Sequence, residues 1–179
     1  KPYIIYKALN KLKDGDILFY CDSGMKIHNN NNVKNKFKKL IDLVSDREKC
    51  STGIATFITT GNKEQRKEFQ YNLVQVFEHF NVLDNKEITH TQQVQAGVSI
   101  FYKCDKSMEI VKTWFNTCVT NPELFIGDRR FCNLNKKSQI SGYRDHRHDQ
   151  SIWSILCKIH GVNILRHNLN PIQQTHYRQ

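Results

Sequence analysis

No stretch of this sequence approaches a membrane span. Its longest uncharged apolar runs, such as Ile17–Cys21 and Val98–Tyr102, fall far short of the roughly 18 residues a spanning helix needs. No secretory signal peptide, anchor or Asn-x-Ser/Thr sequon is visible. Cys-x-x-Cys pairs are absent as well: Cys21, Cys50, Cys104, Cys118, Cys132 and Cys157 stand alone, at spacings that fit no zinc template. Several of them lie within apolar runs, where a free thiol behaves as a small hydrophobe. The expectation is a reducing, cytoplasmic compartment, with a lumenal one as the alternative, since an even count also permits disulfides. A Walker loop, Gly-x-Gly-x-x-Gly, His-Glu-x-x-His and Gly-x-Ser-x-Gly are all missing. ATPase, dinucleotide, metalloprotease and hydrolase readings thereby lose their usual support.

What is present is an ordinary globular composition with a basic bias. The 179 residues are 39% hydrophobic and 25% charged, which suits one domain with a real core. Lys and Arg number 27 against 17 Asp and Glu, a net +10 with a pI near 9.4. That balance points to an anionic partner: nucleic acid, a nucleotide or a nucleotide-sugar. The plainer explanation is an AT-rich genome, such as that of a large virus or a protist, loading the surface with Lys and with the 17 asparagines.

Apolar periodicity organises the chain. Pro2 followed by Tyr3, Ile4, Leu9 and Leu12 predicts a short amphipathic helix. After the Asp14-Gly15-Asp16 turn, Ile17 to Cys21 reads as a strand buried on both faces. Asn29 to Asn32 reads as a loop tip, and Val33 to Val44 as a helix. Gly53 to Ile58 reads as a second buried strand, and Phe69 to Phe80, apolar every three to four residues, as one helix. A strand over Gln95 to Tyr102, a helix over Ser107 to Cys118, a long aperiodic stretch from Asn121 to Arg144, a helix over Asp149 to His160 and a last strand over Val162 to Leu165 complete the pattern. Strands alternating with helices predict an α/β fold with a mainly parallel sheet, as one domain over residues 1–179.

Three constellations carry polar chemistry. Asp22-Ser23-Gly24 ends the first strand, and ligands of open α/β sheets bind beyond strand carboxyl ends. A carboxylate there can hold a hard dication, and a glycine lets a diphosphate approach the backbone; an ordinary Asx turn is the bland alternative. Arg144-Asp145-His146-Arg147-His148-Asp149-Gln150-Ser151 packs two His, two Arg and two Asp before a helix. That density suits a cleft with Asp149 or His148 in acid–base work and arginine on phosphate, although an acidic helix start is commonplace. Gln92-Gln93-Val94-Gln95-Ala96-Gly97 offers neutral amides to a polyol, or is an ordinary entry loop.

Taken in order, Lys1-Pro2-Tyr3-Ile4-Ile5, Gly15 to Gly24, Gln93-Val94-Gln95-Ala96-Gly97 and His146-Arg147-His148-Asp149-Gln150-Ser151 resemble the GT-A-type nucleotide-diphospho-sugar transferases, from Lys1 to about Arg178. The resemblance implies a Rossmann-like GT-A fold, here without its first βαβ unit, and a hexosyltransferase-type glycosyltransferase. Such an enzyme moves a sugar from a nucleotide-diphosphate donor, UDP-sugar favoured, to a hydroxyl of a glycan or protein. It also implies Mn²⁺ or Mg²⁺ held by Asp22 and His176, the second carboxylate of the family's Asp-x-Asp being replaced by Gly24. Asp22, Ser23, Gly24, Gln93, Gln95, Ala96, Gly97 and Arg147 would bind the nucleotide-sugar, with Asp149, Gln150 and His148 catalytic. The rivals are a basic nucleic-acid-binding protein, against which stand dispersed charges and the lack of a binding motif, and a non-catalytic GT-A-like interaction module.

Overall fold

The computed structural model describes residues 1–61, 64, 66–127 and 139–174. Helix α1 (Pro2–Lys11) is followed by β1 (Ile17–Cys21), β2 (Met25–Ile27), α2 (Asn31–Ser45) and β3 (Ile54–Ile58). Three short helices come next: α3 (Glu68–Tyr71), α4 (Val74–His79) and α5 (Lys86–Thr89). Strand β4 (Val94–Tyr102) leads to α6 (Asp105–Thr120) and α7 (Pro122–Ile126). The last elements are α8 (Asp149–Ile159), β5 (Asn163–Leu165), a 3₁₀ turn (His167–Leu169) and β6 (Ile172–Gln174). Within the stretch expected to be aperiodic, α7 is a helix that begins at Pro122, where a missing amide hydrogen costs nothing.

The sheet is mixed, not mainly parallel. Its order is β1-β4-β3-β5; β4 runs antiparallel to both β1 and β3, and only β3 and β5 pair in parallel. It follows that β1, β3 and β5 all point one way and β4 alone is inverted. Strand–helix alternation does not reveal this, because the long segment between β3 and β4 can return the chain in either direction. The inversion matters for the site: Cys21 pairs with Val98, so β1 ends beside the middle of β4 and the first half of β4 runs on past it. The Asp22 amide hydrogen donates to the Gly97 carbonyl at 2.9 Å. Strand β1 is half-buried along its length, as an edge strand, where the apolar run predicts burial on both faces. A separate ribbon pairs β2 with β6.

Helices cover both faces of the sheet. On one side Ile5 and Leu9 of α1, Ile110, Val111 and Trp114 of α6, and Ile152, Trp153, Ile155 and Leu156 of α8 pack with Phe101. On the other, Leu40 and Val44 of α2 close over Ala55, Phe57, Val98 and Ile100. Cys50 and Cys157 are fully buried among these side chains, and burial pushes both thiols up. In α1 the buried face is Pro2, Ile5 and Leu9; Tyr3 and Ile4, counted in the apolar pattern, are exposed. The asparagine tract is not all loop: Asn30 caps α2, its Oδ1 accepting the Val33 amide hydrogen at 2.9 Å.

One predicted helix is broken. Phe69 to Phe80 splits into α3 and α4, with Asn72 and Leu73 extended between them. The cause is tertiary. Asn72 donates to the buried Glu68 carboxylate at 2.7 Å, and Glu68 also binds the Ser154 hydroxyl and, at 2.5 Å, the Lys158 ammonium of α8. The break frees the carbonyls of Gln70 and Tyr71 for the segment leading into α8. Arg144 N–H donates to Gln70 at 2.8 Å, and the Ser151 hydroxyl to Tyr71 at 2.8 Å.

Candidate functional site

Beyond the shared end of β1, β3 and β5 lies a cleft of about 370 Å³. The polar motifs meet there because each occupies a defined place at that end. Asp22 follows β1, Thr59 and Thr60 follow β3, and Gln93, Gln95 and Gly97 enter β4 on alternate positions of one face. Arg147, His148, Asp149 and Gln150 arrive with the start of α8. Lys1, Met25, Arg66 and Tyr71 complete the wall.

The α8 end is held by a dense set of contacts. Ser151 accepts the Arg147 amide hydrogen at 3.0 Å while donating to Tyr71, which ties the helix start to the α3–α4 break. The Trp114 indole N–H donates to the Asp149 carbonyl at 3.0 Å. Asp149 is the first residue of α8, and the cap position is His148. His148 has φ 52° and ψ −125°, a backbone conformation that a side chain seldom adopts and that costs on the order of 1–3 kcal/mol. Its ring Nδ1–H donates to the Ile126 carbonyl at 2.9 Å, so the ring helps fix this strained corner. His146 is 3% exposed and donates Nε2–H to the Leu124 carbonyl at 2.8 Å; burial lowers its pKa to about 4. It is a neutral structural anchor behind the site.

The amides form a chain. Gln150 Nε2 donates to Gln93 Oε1 at 2.9 Å, and Gln93 Nε2 to the Tyr71 carbonyl at 3.4 Å. The Gln95 Nε2 group is buried without a hydrogen-bond partner among the described residues, leaving a donor at the cleft wall. The Arg147 guanidinium lies over the Tyr71 ring, 4.8 Å from its centre.

Two carboxylates face one ammonium. Lys1 Nζ is 3.1 Å from Asp149 Oδ2 and 3.7 Å from Asp22 Oδ2. The other oxygen of Asp22, Oδ1, accepts the Tyr20 hydroxyl at 2.9 Å, and burial, this hydrogen bond and the Asp22 charge raise the Tyr20 pKa. Tyr20 therefore stays a donor. A side chain at position 97 would sit 3.0 Å from Asp22 Oδ2, so the close approach of Asp22 to β4 requires the glycine. Three cations, Lys1, Arg66 and Arg147, stand against the carboxylates of Asp22 and Asp149, a surplus of one positive charge at the cleft.

Several predicted residues fall elsewhere. Ser23 and Gly24 are in the exposed turn between β1 and β2 and do not line the cleft. Ala96 points into the core at 1% exposure, and only its amide N–H faces Gln150 Oε1, at 3.4 Å. Arg144 is exposed and outside the cleft lining. His176 lies outside the described residues. Among the described residues no cluster of three or more His, Cys, Asp or Glu is placed to hold a metal. As arranged, Asp22 and Asp149 fit an ammonium. A dication such as Mg²⁺ takes its oxygens at about 2.1 Å, shorter than either Lys1 contact, so at the ammonium's position it would need both carboxylates to close on it by roughly 1 Å or more.

Sequence reasoning assigned no role to Lys1, Met25, Thr59, Thr60, Arg66 or Tyr71. Lys1 stands inside the Lys1-Pro2-Tyr3-Ile4-Ile5 segment, yet nothing local tells a cleft ammonium from a solvated one. Tyr71 ends α3, inside the Phe69 to Phe80 segment whose periodicity predicts only a helix, and Arg66 precedes that helix, outside any motif. No helix among the described residues is long and apolar enough to cross a membrane. No family model, curated protein or solved structure matches this chain.

Proposed function

We propose that the cleft binds a nucleoside-diphospho-sugar, a UDP-sugar in the favoured case, and transfers the sugar to a hydroxyl of a glycan or protein. One observation carries the reading: a single cavity gathers Asp22, Gln93, Gln95, Gly97, Arg147, His148, Asp149 and Gln150 from three distant segments. These are residues of the motifs that resemble GT-A transferases, brought to one end of the sheet by the β1–β4 pairing and by the packing of α8 on the sheet.

The chemistry of the wall suits that substrate. Arg66 and Arg147 supply charge-assisted hydrogen bonds to a diphosphate, whose negative charge grows as it leaves. The amides of Gln93, Gln95 and Gln150 pair with sugar hydroxyls, the unpartnered Gln95 donor above all. In the transfer the anomeric carbon–phosphate oxygen bond breaks and a bond to the acceptor oxygen forms. The Asp149 carboxylate aligns the acceptor hydroxyl and takes its proton, held in place by α8 and the Trp114 contact.

The test is a thermal-shift panel of UDP- and GDP-sugars, with and without Mn²⁺. A donor at 100 times its dissociation constant adds about 2.7 kcal/mol, or about 5–10 °C at this chain length. A rise for one nucleotide class that Asp149→Asn leaves intact, with sugar transfer to an acceptor abolished in that variant, is the expected result. No shift for any donor would overturn the reading.

A further inference from the structure

We propose that the Lys1 ammonium is the resident cation of this cleft: it holds the Asp22 and Asp149 carboxylates side by side and presents a donor to the anionic ligand where a divalent ion would otherwise sit. The ligand part rests on the cleft being a nucleoside-diphosphate-sugar site; the cation part does not.

Asp22 and Asp149 belong to elements far apart in sequence, one after a strand and one opening a helix, and both direct Oδ2 at Lys1. Each Oδ2 lacks another use. Asp22 spends Oδ1 on Tyr20, and Asp149 Oδ2 is buried with no hydrogen bond among the described residues, so the ion pair with Lys1 is its compensation. Two carboxylates aimed at one place without a cation between them would repel each other. Lys1 is only 26% exposed at its side chain, so the ammonium sits in the wall and not in bulk solvent. Its anchorage is firm: it precedes Pro2, which starts α1, and Ile5 and Leu9 of that helix are in the core. An ammonium carries three donors and the carboxylates take at most two, which leaves one for a ligand oxygen.

A metal and Lys1 compete for the same two oxygens. Removing Lys1 therefore leaves a pair of acidic oxygens with no counter-ion, the type of donor set a hard dication takes. Manganese paramagnetic-resonance titration, with Mn²⁺ as sole ligand, tests this on the whole chain with Lys1→Ala and Lys1→Gln as independent variants. Wild-type protein is expected to show no saturable site at millimolar metal, and both variants are expected to gain one that a further Asp22→Asn removes. Saturable Mn²⁺ binding by wild type that Asp22→Asn abolishes overturns the proposal, and so does the absence of binding in both Lys1 variants.

A second arm measures UDP affinity in EDTA. Wild type is expected to bind equally well with EDTA or Mn²⁺, and Lys1→Ala to lose at least about tenfold in EDTA and recover with Mn²⁺. UDP binding by wild type that needs Mn²⁺ overturns the ligand role. Since the metal titration contains no nucleotide, a failed donor panel beside a gained Mn²⁺ site would sink the transferase reading and leave the cation assignment standing.

Discussion

At the scale of single residues, the cleft depends on what is omitted as much as on what is supplied. Gly97 has a backbone any residue could adopt, so its requirement is spatial: an added Cβ would meet Met25 Cε at 2.9 Å and Asp22 Oδ2 at 3.0 Å. Both obstacles are ends of side chains, and they move more cheaply than backbone. Gly97→Ala is thus expected to fold, with unchanged far-ultraviolet circular dichroism, while displacing the Asp22 carboxylate from Lys1. Titration calorimetry with the best nucleotide-sugar should show a loss of about tenfold, near 1.4 kcal/mol. Unchanged affinity would mean that the distance from Asp22 to Lys1 does not matter for the ligand. Gly24, the glycine that stands out within Asp22-Ser23-Gly24, has no such neighbour within 4 Å of a built Cβ. A motif names residue types; which glycine is required depends on what packs against it.

Elements show where local signals suffice. The α2 signal was wholly local: Val33, Leu40 and Val44 are spaced for one buried stripe, and the cap Asn30 lies three residues before the amide it accepts. Asn30→Ala is expected to cost about 1 kcal/mol, read as a fall in melting temperature of about 2–4 °C, because a cap's whole effect is that single bond. A change below experimental error would mean water or a neighbour replaces the Asn30 oxygen. Elsewhere local signals misled. The apolar period across Phe69 to Phe80 is continuous, yet Asn72 turns out of helix to reach Glu68, and the freed carbonyls of Gln70 and Tyr71 dock the approach to α8. Periodicity counts apolar faces and is blind to a carbonyl recruited from eighty residues away. Strand β1 misled for a related reason: its uninterrupted apolar run suits a central strand, but with β4 as its one neighbour among the described residues it lies at the sheet edge.

For the whole molecule, acidity should be felt through His146. This ring joins α7 to the α8 approach, and its pKa of about 4 in the folded state compares with about 6.5 in an unfolded chain. The unfolded state then binds more protons between those values, so stability rises with pH there. The contribution of the neutral ring is complete above about pH 6.5 and falls away as pH drops toward 4, by at most about 3 kcal/mol. Urea unfolding at pH 7 and pH 5 should show a larger loss for wild type than for His146→Gln, which keeps a donor and has no charge to gain. Equal losses would mean that the carboxylates, not His146, set the acid limit. The α/β class, most helices, all four strands of the main sheet and the polar segments of the cleft were legible in the sequence, because amphipathic spacing and clustered polar groups are local properties. Sheet direction was not, nor the place of Lys1 between Asp22 and Asp149. Both follow from long-range register: inverting β4 carries its first half past the end of β1, and packing α1 on α6 brings residue 1 to that same place. The sequence by itself thus determined most of the elements and which polar residues lie near their ends. Only tertiary structure decided which ends meet and which charge stands between them, because pairing energies depend on neighbours that no local window contains.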